Sequence, residues 1–224
     1  MDRITFISDS HTKHKQIEKD LPGGNIIIHS GDISSMGYKY EIDDFCKWFD
    51  NLNYDIKIFI AGNHDFLFER NPNESYKIIN SYKNIKYLED SLVIVNDIKI
   101  WGSPWQPEFY NWAFNLPKNG IKLAEKWNNI PPDIDILITH GPPFGHLDMV
   151  INENISLGCQ LLENRIEKIN PKIHVFGHIH SGYGYKFYNN THYINASVLD
   201  EKYQYTQQPI TIEWDKNNNE INFL

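Results

Sequence analysis

Five short segments carry carboxylate, imidazole or amide side chains, four of them beside glycine: Asp9-Ser10-His11, Gly31-Asp32, Gly62-Asn63-His64-Asp65, His140-Gly141 and Gly177-His178-Ile179-His180. These are the donor types of a dinuclear Mn²⁺, Fe or Zn²⁺ site, and the absence of thiolates disfavours a structural zinc site. Asp-x-His and His-x-His spacings put two side chains on the same side of an extended segment. One Asp between two metals can bridge them, an oxygen to each. Glycine lets the backbone turn sharply and come close to such a centre. Singly, each signal is weak, since a lone Gly-Asp marks only a turn. Their shared placement carries the reading.

Each segment follows a strand signal. Arg3–Ser8, Ile26–Ser30, Ile56–Ala61, Asp135–Thr139 and Ile173–Phe176 are short β-branched runs of the kind buried on both faces of a sheet. Apolar residues at helical spacing predict helices over Tyr40–Leu52, Asn73–Tyr82, Ile121–Asn129 and Cys159–Ile169, the last stopped by Asn170-Pro171. Hairpins are predicted across Asn96-Asp97 and Asn189-Asn190, and between Ile210–Trp214 and Ile221–Leu224. Gly102–Asn119, crowded with Pro and aromatic residues, reads as a long loop. Strands alternating with helices argue for a parallel α/β core, with antiparallel strands added by the hairpins. Ligands of such folds bind where the carboxyl ends of the strands meet, so the five segments should converge.

With 224 residues, 41% hydrophobic and 22% charged, the chain fits one domain over 1–224 and excludes intrinsic disorder. Two cysteines, Cys46 and Cys159, form no disulfide framework and read as buried thiols in a reducing compartment. No apolar run is long enough to span a membrane, and Met1 to Ser10 lacks the layout of a signal peptide, so a cytoplasmic protein is expected. The net charge of −8 and the lack of Lys/Arg clusters argue against long nucleic acid as a partner. Of the ten histidines, His29 and His174 read as core residues, His14 and His192 as surface ones, and His146 as facing the site or not at even odds.

The five segments together resemble the calcineurin-like metallophosphoesterase superfamily. Ile100–Pro107 (IWGSPWQP), Phe114–Pro117, Ile138–Pro143, Phe176–Gly184 and Asn195-Ala196-Ser197 are similar to its branch of metallophosphoesterase-domain-containing proteins. Thr12 stands where many members have Gly, a change that bears on the loop's shape and removes no ligand. The resemblance implies a two-sheet mixed β-sandwich flanked by helices. It implies one metal held by Asp9, His11, Asp32 and His180, and a second by Asp32, Asn63, His140 and His178, with Asp32 bridging. Mn²⁺ is favoured, with Fe or Zn²⁺ as alternatives. His64, beside a ligand yet not one itself in the family, is the candidate acid for the leaving oxygen. Asp65 either orients it or caps the loop.

The expected activity is hydrolysis of a small phosphate ester, a phosphodiester foremost; the branch is associated with cyclic-nucleotide phosphodiesterase activity. Two divalent cations would outweigh Asp9 and Asp32 and make the site positive inside an acidic protein. A phosphomonoesterase is the alternative within enzymes. A protein-binding scaffold on the same fold is the alternative outside them, and the complete ligand set argues against it. Trp105 and Trp112 of the aromatic loop, with Phe144 and His146 after His140, are the candidates to line a substrate pocket and stack on a base. The bland reading of such rings is core filling beneath a long loop.

Overall fold

Isoleucine alternation decides which faces of the strands meet. In the computed structural model, which describes residues 1–150, 155–218 and 220–224, Ile4, Phe6, Ile26, Ile28 and Ile58 point to one side of a first sheet. Ile98, Ile100, Ile136, Ile138, Ile173, Val175 and Ile194 point to one side of a second. These faces close on each other and form the central, fully buried core. Burying a side chain of this size contributes roughly 1.5–3 kcal/mol.

The first sheet is built on four parallel strands, β1 (Asp2–Ile7), β2 (Gly24–His29), β3 (Tyr54–Phe59) and β4 (Ile85–Tyr87). The second is built on β6 (Ile98–Ser103), β7 (Ile136–Thr139), β8 (Ile173–Phe176) and β10 (Thr191–Asn195), also parallel. Antiparallel strands complete both sheets. Strand β5 (Ser91–Val95) pairs with β6 and β9 (Gly184–Tyr188) with β10, while β11 (Ile210–Asp215) pairs with β1 and β12 (Glu220–Phe223) with β11. The spatial orders are β12-β11-β1-β2-β3-β4 and β9-β10-β8-β7-β6-β5.

Helices cover the outer faces. Along α1 (Lys39–Asn51), Ile42, Phe45, Cys46 and Phe49 recur every three or four residues and pack on Ile7, Ile27 and Phe59 of the first sheet. Its first turn is held by Glu41, whose Oε2 accepts the amides of Tyr38 and Met36. Leu123 and Trp127 of α3 (Ile121–Asn128) and Leu162 and Ile166 of α4 (Gln160–Ile169) pack on Leu137, Phe176 and Tyr193 of the second sheet. The architecture is therefore a two-sheet mixed sandwich flanked by helices. Among the described residues no helix is long and apolar enough to cross a membrane.

The hairpin tips take the backbone expected of them. Asn96-Asp97 and Asn189-Asn190 all have φ between 44° and 64°, the left-handed pair that Asn and Asp tolerate. The helix α2 (Pro72–Ile79) ends three residues before the predicted Tyr82. Strand β4 was not expected, because three residues set in a polar stretch carry no readable period. Within the aromatic loop, Gln106-Pro107 pairs with Asn115-Leu116 and cinches its base.

His14 is not on the surface. Its ring is buried against Phe45 and Trp48, with Nε2 3.3 Å from Asp44 Oδ2. His192 is half-buried beside Phe187 and Phe223. His29 and His174 do lie in the core. The Thr139 hydroxyl donates to the Gly141 carbonyl, so it accepts from His174 Nε2–H at 2.8 Å, which fixes the neutral tautomer. Burial pushes the His174 pKa well below 6.5.

The unfolded chain therefore takes up a proton below about pH 6.5 that the folded chain refuses. The His174 contribution to stability is complete above that pH and falls as pH drops through it. Urea unfolding between pH 7 and 5 should show a shallower decline for His174→Gln, by up to ~1.4 kcal/mol per pH unit. Equal slopes in variant and wild type would mean that the folded protein protonates His174.

Candidate metal centre

The carboxyl ends of β1, β2, β3, β7 and β8 run into Asp9, Asp32, Asn63, His140 and His178, and the sandwich brings these ends together. Ligating atoms of Asp9, His11 and His180, of Asp9, Asp32 and His140, and of His11, Asp32 and His64 lie within 4.8 Å of one another. Asp32 is common to the second and third of these sets, and the atom it turns to the imidazoles is Oδ2. It stands 3.3 Å from His140 Nε2, 3.5 Å from His11 Nε2 and 4.0 Å from His64 Nε2. Asp32 Oδ1 accepts the His64 amide at 2.8 Å, so Oδ2 is the oxygen presented to both groups, not one oxygen to each.

Hydrogen bonds fix what each ligand atom can do. His140 Nδ1 donates to the Ser30 carbonyl and His180 Nδ1 to that of Asp200. In the neutral rings Nε2 is then a bare lone pair, yet His140 Nε2 faces Asn63 Oδ1 at 3.0 Å and His180 Nε2 faces Asp9 Oδ1 at 3.5 Å. Lone pair against lone pair calls for a cation between them. Both nitrogens of His11 are buried without a hydrogen-bond partner. The His178 amide donates to both Asp9 oxygens, at 3.0 and 3.1 Å, and Ser197 Oγ anchors Oδ2 at 2.8 Å, so Oδ1 is the less engaged oxygen and the one that faces His180. This donor set fits divalent metal ions of the Mn²⁺, Fe or Zn²⁺ kind.

The electrostatics agree. Burial disfavours charge on His140, but the Asp32 carboxylate pushes its pKa up to about 9. Burial likewise works against His180, and the hydrogen bond and charge of Asp9 carry it to about 9. At His11 and His178 burial outweighs the nearby carboxylates and pushes both down to about 4. Burial would raise Asp9 and Asp32; the imidazoles, His180 for Asp9 and His140 for Asp32, instead hold both below the usual carboxylate range.

The backbone is strained to reach this arrangement. Asp9, His11, Thr12, Asp32 and His178 all have left-handed φ, from 39° to 68°. Thr12 thus keeps the conformation that Gly would favour, its hydroxyl donating to the His11 carbonyl. A Cβ at Gly177 would collide with the Asp9 carboxylate, which explains the glycine there.

His64 Nδ1 donates to the Ser35 carbonyl at 2.7 Å, so Nε2 is the atom turned toward Asp32. Asp65 does not orient it. Its carboxylate instead accepts the amides of Ile33, Ser34 and Gly62 and the Ser34 hydroxyl, bracing the two loops.

A cavity of about 510 Å³ opens on the centre; His11, Asp32, Asn63, His64, His178 and His180 form its polar end. Trp112 lines it, with its ring 4.1 Å from that of His64 and 5.6 Å from that of Phe66. The other three pocket candidates lie outside its lining. Trp105 is drawn away because its indole N–H donates to Asp90 and Lys126 sits 4.3 Å over its ring. His146 stacks on Tyr193 at 3.9 Å and pairs with Glu163 at 3.2 Å, behind the loop. Phe144 points to solvent, 43% exposed. Phe109, another ring of the aromatic loop, also lines the cavity; sequence reasoning missed Tyr203, which lines it too, and the role of Ser197, which anchors Asp9. Ser197 lies in the Asn195-Ala196-Ser197 motif, whereas Tyr203 stands in a polar segment that carries no signal.

Comparison with known proteins adds independent findings. The family described as calcineurin-like phosphoesterase matches over residues 2–182. Metallophosphoesterase domain-containing protein 1 of Homo sapiens is 41% identical over 232 residues, covering 94% of this chain and 70% of the human protein. The crystal structure of TT1561 of Thermus thermophilus superposes with a TM-score of 0.68 at 13% identity, covering 100% of this chain and 98% of that one. A novel archaeal phosphodiesterase superposes at 0.51 with 17% identity, covering 99% and 98%. At such identities the two structures speak to the fold alone.

Because Asp32 Oδ2 faces both groups of ligands, Asp32→Ala should lose metal from both at once. Elemental analysis of the purified variant checks this. Two tightly bound metals per chain in Asp32→Ala would refute the shared role.

Proposed function

The chain belongs to the calcineurin-like phosphoesterase family, and from that premise we propose that it is a phosphodiesterase of small substrates such as cyclic nucleotides, working with two divalent metal ions, Mn²⁺ foremost. The observation that carries the reading is the convergence of imidazoles on two buried carboxylates, Asp9 and Asp32, beside a nucleotide-sized cavity. The proposal treats 1–224 as one domain acting in the cytoplasm, where the buried thiols Cys46 and Cys159 stay reduced.

Asp9, His11, Asp32 and His180 would hold one ion, and Asp32, Asn63, His140 and His178 the other. When bound, such a pair lowers the pKa of water and draws charge from phosphoryl oxygens. The chain's own groups supply the rest. His64, carrying a proton on each ring nitrogen, would give the one on Nε2 to the leaving oxygen and be left as the Nδ1–H tautomer that the Ser35 carbonyl holds, its ring steadied by Trp112. Trp112, engaged with His64 and Phe66, serves this acid more than a substrate base. Phe109, 47% exposed and lining the cavity, offers the freer ring for stacking. An acidic chain without a basic stripe suits a ligand of nucleotide size better than a long strand.

The test is a panel of phosphodiesters and phosphomonoesters assayed after reconstitution with Mn²⁺, Zn²⁺ or Fe²⁺. Diesters, cyclic nucleotides included, should turn over faster than monoesters, and Phe109→Ala should raise KM for cyclic nucleotides about tenfold, within the worth of one base–aromatic stack. Faster monoester hydrolysis would replace the diesterase reading with a monoesterase one.

His64→Ala should retain both metals yet lose roughly 10²–10⁴-fold in turnover, the usual worth of general acid catalysis. Nitrophenol esters, whose leaving groups need no proton, should suffer less. Equal losses for good and poor leaving groups would argue against proton donation.

A further inference from the structure

Three imidazoles at the centre are steered by backbone carbonyls: His64 by Ser35, His140 by Ser30 and His180 by Asp200. His11 has no such bond: both its nitrogens are buried without a hydrogen-bond partner, and the nearest carboxylate oxygen, Asp32 Oδ2, lies 3.5 Å from Nε2. Its orientation comes from ring packing. His64 meets it edge-on at 4.6 Å, His180 lies tilted at 5.5 Å, and Tyr203 meets it edge-on at 4.9 Å. We infer that Tyr203 is a positioning residue for His11, its ring doing for that ligand what a backbone carbonyl does for His140 and His180. The inference rests on the reading of His11 as a metal ligand.

The turn that carries Tyr203 is built for this placement. Asp200 Oδ1 accepts the amides of Lys202 and Gln204, the Tyr203 amide donates to the Asp200 carbonyl, and the Asp200 amide to that of Gln204. Lys13, two residues past His11, donates its Nζ to the Tyr203 carbonyl and ties the turn to the His11 loop. Tyr203 itself is held at φ 57°, a left-handed conformation costly for a bulky side chain. The strain brings the ring against His11 and, at 5.2 Å, His180. One turn thus fixes two ligands of the same ion by different means, His180 through the Asp200 carbonyl and His11 through the phenol ring. The ring also lines the cavity. Ligand-supporting groups of this kind typically change metal affinity about 10- to 100-fold when removed.

Tyr203→Gly and Tyr203→Phe separate ring from fold. Glycine removes the ring while favouring the backbone conformation, so the metal-free protein should melt no lower than wild type. Calorimetric titration of the metal-free chains with Mn²⁺ should give two tight equivalents for wild type and Tyr203→Phe. For Tyr203→Gly it should give one tight equivalent and one weakened about 10- to 100-fold. Two tight equivalents in Tyr203→Gly would overturn the inference alone, as would a Tyr203→Phe as weak as Tyr203→Gly. A lower melting temperature of metal-free Tyr203→Gly would make the ring a structural support and overturn it too. A wild-type chain that takes up no Mn²⁺ overturns the metal reading and the inference together.

Discussion

Asp9 and Asp32 are carboxylates buried among imidazoles whose free nitrogens face them, and uncharged protein atoms alone cannot satisfy that set. Burying an unpaired carboxylate costs several kcal/mol even after relaxation. Here the pairing must come from a cation, either protons on His140 and His180 or metal ions in their place. The same two rings are the ones whose proton affinity the carboxylates raise, so metal and proton compete for one set of lone pairs. The surrounding loops can be understood as supports for that charge cluster. Ser197 and the His178 amide hold Asp9, the His64 amide holds Asp32, and Asp65 braces the loops after β2 and β3.

The sandwich makes the cluster possible because it separates stability from chemistry. Apolar burial lies between and outside the sheets, while the ligands sit beyond the strand ends, where the backbone is free to take left-handed turns. Five residues of the centre and its first loop take such turns, a concentration of strain that only a rigid scaffold sustains. His29 shows the junction. Its Nδ1 accepts the Gly31 amide and its Nε2–H donates to Ser10 Oγ, so a core histidine stiffens both of the first two ligand loops without being a ligand.

The parts legible in the sequence were those governed by period and by backbone chemistry. Isoleucine runs marked the buried strands, three- and four-residue spacing marked α1 and α4, and Asn-Asp and Asn-Asn marked hairpin tips. The convergence of the Asp- and His-bearing loops was legible because they follow strand ends, and the fold aligns those ends whatever the intervening chain does. Side-chain direction within irregular segments was not legible. Trp105 and Trp112 are seven residues apart in one aromatic loop, yet Asp90 and Lys126 draw the first away while His64 and Phe66 seat the second in the cavity wall. His146 was drawn from the site by Glu163 and Tyr193, partners from α4 and β10 that no local pattern connects to it. His14, likewise, owes its burial to Phe45, Trp48 and Asp44 on α1.

These misplacements share one cause. An aromatic or imidazole ring is amphipathic, and its position follows from whichever fixed polar group reaches its N–H or its face. In regular elements the backbone period decides that; in loops a single distant charge does. Asp90 is the clearest case. Its φ is left-handed, and its carboxylate accepts from Ser103, Trp105 and Lys126, so one residue pins the start of the aromatic loop to the second sheet. With that end pinned and the Gln106–Asn115 pairing closing its base, the residues between are confined to the rim of the metal centre. Phe109 and Trp112 reach the cavity because Trp105 is held out of it. The ring with the most hydrogen bonding to protein is, on this account, the one least able to serve a substrate.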